Sequence, residues 1–320
     1  MSRPVQVESD VQRTGPGVPP PVGRRSFLRA LALAVGGGLF TPPSAWSAPR
    51  RAETLRIGLV APPAGSRPAV VESAVRGVTL GVEEAARTGE LFGRGIELRT
   101  ADAAEALVAA GGVAALVGGW DEAGCRGLGA LADSAGILFL NVGCASDALR
   151  GGECRRGLFH VESSEAMRRD ALAGRGSRGA DATSAALWHP SLERFGAAQL
   201  NERFRARFAA EMDGPAWAGW MAVKALWEAS LRARTSEPAG LRAHLASGTT
   251  RFDGHKGWPL SFRARDGQLR QPLYLVAPAE GGTRVVGEVP ARPAEGGPPS
   301  HELLDRLGGG ASASTCAPTR

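Results

Sequence analysis

From residue 54 to residue 142 short apolar runs alternate with amphipathic stretches, and that alternation leaves the chain few ways to fold. Residues 54–60, 95–100, 113–118 and 137–142 read as strands, and 69–87, 101–110 and 122–134 as the helices between them. Successive strand-helix-strand units specify a parallel sheet with helices on both faces and right-handed crossovers, so the expected class is α/β, doubly wound. In such sheets a ligand sits beyond the carboxyl ends of the strands. Loops 62–66, 118–121 and 142–147 then share one rim, and Gly119, Trp120, Asp121, Ser146 and Asp147 become candidate ligand contacts. Asp121 has a second reading as the N-cap of the helix beginning at 122, and Ser146 and Asp147 a second reading as an ordinary turn.

The second half is patterned differently. Leu200, Phe204, Phe208 and Met212 recur at four-residue steps, and Trp220, Val223, Trp227 and Leu231 line one face of a second run, giving helices over 192–212 and 215–234. Pro238 is placed for the first turn of a short helix to 246. Asp266-Gly267 between apolar runs 260–264 and 269–276 is a hairpin signal, followed by an edge strand at 283–289. Five of the seven tryptophans fall between Trp188 and Trp258, so this block is expected to hold much of the core.

Ahead of residue 53 the pattern is absent. Residues 1–23 are rich in Pro and Gly, and Arg24-Arg25 then precedes a short apolar stretch over 30–40, the layout of a twin-arginine (Tat) export signal. Cleavage is expected after Ser47, leaving a periplasmic mature chain. The leader also explains the charge: of the formal +6, residues 1–47 carry five Arg against Glu8 and Asp10, a net +3, leaving 6 − 3 = +3 elsewhere. Arg alternates with Glu and Asp in that remainder, with no basic stripe interleaved with aromatics, so no nucleic-acid partner is expected.

Motifs for chemistry are missing from the sequence. There is no G-x-S-x-G, P-loop, H-E-x-x-H or C-x-x-C, and the histidines are scattered, so neither enzymatic activity nor a metal or cofactor is expected. Gly174 to Gly179 matches G-x-G-x-x-G but follows a helix instead of a strand, and reads as a linker. Cys125, Cys144, Cys154 and Cys316 make an even set in an exported chain, with three pairings open.

Three stretches carry a family resemblance. These are 188–204 (Trp-His-Pro-Ser-Leu-Glu-Arg-Phe-Gly onward), 217–223 (Trp-Ala-Gly-Trp-Met-Ala-Val) and 256–272, joined by 55–60, 92–98 and 114–119 in the first half. They resemble the substrate-binding components of ABC transporters associated with PQQ-dependent alcohol dehydrogenase systems. That subfamily belongs to the type I periplasmic binding proteins, relatives of the leucine/isoleucine/valine binders, in which two α/β lobes close on a ligand. The resemblance implies a leader over 1–52, a first lobe over 53–162 and a linker with a remnant of the second lobe over 163–191. It further implies helices packing back on the first lobe over 192–250, a hairpin and edge strand of the second lobe over 251–289, and a Pro/Gly-rich tail over 290–320. Most of the second lobe's parallel sheet is missing, because the chain passes from Ala171 to Trp188 in under twenty residues.

The resemblance also implies that Trp188 and His189 face the Trp120 loop across the cleft, and that Cys154 pairs with Cys316. Amino-acid binders of this fold carry a small hydroxyl residue where this chain has Gly118-Gly119-Trp120-Asp121, so an amino acid is not the expected ligand. The expected partners are a small molecule, a membrane permease, and the alcohol dehydrogenase or its cytochrome. Two functional readings follow: a solute-binding component of an importer, or a shortened accessory protein that works by protein contact.

Overall fold

The computed structural model describes residues 53–176, 181–292 and 300–309. Four strands of the first half form where the apolar runs predict them: β1 (Thr54–Val60), β2 (Gly95–Ala101), β3 (Ala115–Gly118) and β4 (Leu138–Asn141). With β5 (Leu158–His160) they make a parallel sheet in the order β2-β1-β3-β4-β5. Its central strands are buried on both faces, as a doubly wound sheet requires. Helices α1 (Ala69–Phe92), α2 (Ala104–Ala109) and α3 (Glu122–Ala135) connect the strands.

Helix α1 runs five residues past the expected 87. Thr88-Gly89 looks like a breaker, but Gly89 lies against the Trp227 ring and the Arg94 carbonyl, where a Cβ would not fit. The helix ends at Gly93, which takes the left-handed conformation (φ 62°) that closes a helix. Helix α2 is shorter than 101–110, because β2 continues through Ala101 and Asp102 accepts from the amide of Ala103.

After α4 (Glu165–Ala173), N-capped by Ser164, the chain forms β6 (Ser184–Ala186), α5 (Ala197–Phe208), α6 (Gly214–Ala233) and α7 (Pro238–Leu245). The single helix expected over 192–212 is interrupted: Phe195 (φ 59°) and Gly196 break it before α5, and Ala209 (φ 51°) ends it. Asp213 caps α6 by accepting from the Ala216 amide at 2.9 Å. Helix α6 packs along α1, and at Gly77 and Gly219 the two backbones come into contact. A Cβ on Gly77 would lie 1.8 Å from the Ala216 carbonyl, and one on Gly219 would lie 2.2 Å from the Ala74 carbonyl. Glycine lets the two backbones touch there.

The expected hairpin forms about Asp266-Gly267, but its second strand is cut short. β7 (Phe252–Asp253), β8 (Pro259–Phe262) and β9 (Leu269–Arg270) form one antiparallel sheet; β10 (Leu273–Ala279) leaves it and pairs with β6 and β11 (Gly282–Val289) in another. The expected strand 269–276 is split at Gln271-Pro272, where proline has no N–H for the ladder and Gln271 turns inward to bond the Val161 carbonyl at 2.7 Å. The turn at Asp266-Gly267 reaches the edge of the first sheet: His160 donates to the Gly267 carbonyl and bridges Gln268 in parallel. Gly267 (φ 67°) lies against Leu158, whose carbonyl a Cβ would approach to 2.2 Å. Among the described residues every parallel strand pair belongs to the five-stranded sheet, and one buried apolar cluster runs from β1 through α6 into β8 and β10. A last short helix, α8 (His301–Asp305), closes over β9.

Candidate functional site

The rim of the five-stranded sheet is built on Gly119. Its backbone is left-handed (φ 86°), and a Cβ there would stand 2.4 Å from Cys125 Sγ and 2.9 Å from the Phe139 ring. The turn it permits sends Trp120 across the strand ends. The indole Nε1 donates to the carbonyl of Val60, at the end of β1, at 3.0 Å, while the ring lies against Gly143 beyond β4. Half-buried, Trp120 thus covers the crest where strands β1, β3 and β4 finish. Outside it lies a cavity of about 280 Å³ between α2 and α3, with Leu128 and Leu131 as apolar wall and Asp102, Glu105 and Asp121 as acidic lining.

Asp121 caps α3, its Oδ1 accepting from the Gly124 amide at 2.7 Å. Ser146 Oγ accepts from the Ala148 amide and Asp147 from the Ala166 amide at 2.9 Å and from Arg169 at 2.8 Å. Burial would raise the Asp147 carboxyl, but those two donors hold it below the usual range. These three polar side chains are occupied in shaping the loops.

Residues that sequence patterning missed hold the same rim from behind. Asn141, fully buried at the end of β4, accepts from the amide of Cys144 at 2.9 Å and donates to its carbonyl at 2.8 Å, fixing the 142–145 loop at both ends. Its Nδ2 also faces His160 Nδ1 at 2.9 Å. Burial and the charge of Arg150 push His160 well below the ordinary imidazole value, so it is a neutral acceptor. Arg150 is buried and donates to Ser146 O, Glu162 O and Gln268 Oε1 at 2.6–2.8 Å. Burial lowers its pKa to about 10, so it remains a cation at neutral pH. Gln268 in turn donates to the Glu162 carbonyl, and with Gln271 on Val161 it pins the segment leaving β5. An Asn closing a strand just before Gly143 was the one local signal for this network.

Trp188 and His189 are not brought to the rim. The Trp188 indole is buried, donates to Asn201 at 2.8 Å and stacks on Trp217 at 6.1 Å, so it belongs to the core. His189 bonds Ser191 and Thr283 at the end of the β10–β11 sheet. Behind Trp217 sits the buried Lys256, 3.8 Å from that ring and 2.8 Å from Gln271 Oε1. Burial holds this amine well below the ordinary lysine value. Neither Cys125 nor Cys144 has a histidine partner, and no group of His, Cys, Asp and Glu among the described residues has the geometry of a metal site. Arg24, Arg25 and Cys316 lie outside the described residues.

The sequence profile of the periplasmic binding proteins matches residues 54–181 and 168–283. The chain belongs to the periplasmic binding protein family. Solved structures agree on the fold. The branched-chain amino acid transporter substrate-binding protein LivJ from Streptococcus pneumoniae, in complex with isoleucine, superimposes with a TM-score of 0.60 at 16% identity, over 73% of this chain and 99% of its own. A solute-binding protein of an ABC transporter from Rhodopseudomonas palustris BisB5, in complex with 3,4-dihydroxybenzoic acid, gives 0.61 at 10%, over 76% and 99%. An ABC transporter substrate-binding protein from Sphaerobacter thermophilus gives 0.61 at 14%, over 74% and 98%. No curated protein matches the sequence. In this periplasmic binding protein the five-stranded parallel sheet is accompanied by an antiparallel three-stranded sheet, β11-β10-β6.

Proposed function

We propose that this periplasmic binding protein is the solute-binding component of an ABC importer that serves PQQ-dependent alcohol oxidation, exported by its twin-arginine leader. The observation that carries the reading is the Trp120 loop, an indole laid over the strand ends and opening on a cavity of about 280 Å³. A site of this size takes a small molecule, and the part of the half-buried ring that lines the cavity supplies a stacking surface. Gly119, Trp120 and Asp121 are the proposed contacts. Asp102, Glu105 and Asp121 around the mouth repel an anion, which favours an uncharged, alcohol-derived solute over a carboxylate. Solute binding by the relatives supports the general role, and the likeness to the alcohol-oxidation subfamily supports the setting.

A second reading, an accessory protein acting by contact with the alcohol dehydrogenase or its cytochrome, draws on the pinned segment after β5. Gln268, Gln271 and Arg150 all bond its carbonyls, where a closing binding protein needs a hinge.

Titration of intrinsic fluorescence with short-chain alcohols and aldehydes, in wild type and Trp120→Phe, separates the two. Saturable quenching that weakens at least about tenfold (~1.4 kcal/mol) in the mutant supports the rim site. Equal affinity in both proteins removes Trp120 from it, and silence toward every solute favours the accessory reading.

A further inference from the structure

Cys125 and Cys144 are both free and buried, and they sit in one small apolar cluster directly beneath the rim. Each is held by a separate, fixed piece of backbone. Cys125 is in the first turn of α3, its amide bonded to the carbonyl of Asp121, the residue that caps the helix. Cys144 is clamped through its own N–H and C=O by Asn141. Gly119 closes the gap: its α-hydrogen side faces Cys125 Sγ and the Asn141 amide oxygen, where no side chain would fit. Cys144, bonded through its amide to that same Asn141 oxygen, lies beside this point in the same packed cluster, and each thiol shifts the other's pKa.

We propose that Cys125 and Cys144 form a built dithiol site, which a disulfide-bearing oxidant of the periplasm converts to an intramolecular disulfide that ties the two rim loops together. Members of this family work in an oxidising compartment, where paired thiols do not persist if they can meet. Cys144 is the entry point, since a little of it reaches the surface (6%) while Cys125 is fully covered. Its interaction with Cys125, with help from the Ser146 amide and the Arg150 charge, lowers its pKa to about 7 against burial, so thiolate is available at neutral pH. The same contact and burial raise Cys125 far above the usual thiol value.

The chemistry balances in two steps. The Cys144 thiolate attacks one sulfur of the oxidant's disulfide, forming a mixed disulfide and releasing the oxidant's other sulfur as a thiolate that takes up a proton. Cys125 then attacks Cys144 Sγ, passing its proton to the second departing thiolate. Two protein S–H groups lose two electrons, and one disulfide of the oxidant becomes two thiols.

The consequence falls on the proposed solute rim. Residues 119–121 lead into α3 and Cys125, and Cys144 sits within loop 142–147 next to Gly143, so the cross-link joins the loop that carries Trp120 to the loop against which its ring packs.

The full chain, purified with its thiols reduced, is incubated with oxidised glutathione, quenched in acid, and alkylated in denaturant without reductant before trypsin digestion. The two thiols fall in different tryptic peptides, 100–126 and 127–150, and both are separate from 151–155 and 307–320. The expected product is a cross-linked 100–126/127–150 pair about 2 Da lighter than the sum of the two reduced peptides, the loss of two hydrogens. Recovery of both peptides alkylated overturns the proposal. In Cys125→Ser the first step should be trapped, with Cys144 carrying glutathione; an unmodified Cys144 in that variant overturns the order of attack. Hydrogen exchange of 119–125 and 142–148 should slow at least about tenfold on oxidation, and unchanged exchange would overturn the cross-link as a constraint on the rim.

Discussion

Gly119 concentrates the demands of the site in one residue. It combines a left-handed backbone with a Cβ position already taken by Cys125 and Phe139. Gly119→Ala is therefore expected to lose about 2–3 kcal/mol, from backbone strain and overpacking together, read as a lower urea midpoint with unchanged m-value. Local chemistry of this kind is only partly legible in a sequence. The Asp121 cap could be read, because a cap needs only its own neighbours. Trp120's direction could not, because the indole finds its acceptor on Val60, sixty positions away. Asn141, Arg150, Gln268 and Lys256 escaped for the same reason, since a buried polar residue gives no local sign of which distant partner satisfies it. Trp188 misled in the other direction. Its place beside the family's crossover suggested a ligand wall, and burial against Trp217 and Asn201 makes it core.

Elements were easier to read than their ends. The four strands and three helices of the first half were marked by periodicity, which is a property of consecutive residues. Helix α1 ran longer than expected because tertiary contact with Trp227 overrode the local signal of Gly89, and the run 269–276 divided because Pro272 acts on the ladder and not on hydropathy. The α1–α6 contact is where element packing is most exposed to test. Gly77→Ala would insert a methyl into the Ala216 carbonyl, and the helices must separate to admit it. The expected loss is about 3 kcal/mol in urea denaturation. Trp227→Ala, on the same interface and 5% exposed, should cost about 3–5 kcal/mol. A loss under about 1 kcal/mol in either variant would mean the two backbones do not meet there.

At the scale of the whole molecule, the described chain from Glu53 onward behaves as one compact body, so a single cooperative transition is expected by calorimetry. Acid should weaken that body. All five histidines are held below the ordinary imidazole value, with burial as the leading cause. The folded state therefore resists protons that the unfolded chain accepts below about pH 6.5, and stability falls as pH drops through that window. For the fully buried His160 the slope reaches at most about 1.4 kcal/mol per pH unit. Urea midpoints measured from pH 7.5 to 5 should decline, and His160→Gln, which keeps an acceptor for Asn141, should decline less steeply. Equal slopes in the two proteins would place the titration elsewhere.

The turn at Asp266-Gly267 bears on how this protein survives in company. A parallel sheet ends in two rows of unpaired amides, which invite strands from neighbouring chains to add on. Here β5 is one such border, and the hairpin tip lies along it, taking up the His160 amide. The other border, β2, carries Glu97 and Arg99, paired with each other and with Arg56, charges that a docking strand would have to strip of water. The chain has in this way closed both borders of its five-stranded sheet against strangers, and loosening that hairpin tip would expose β5 as a template for aggregation.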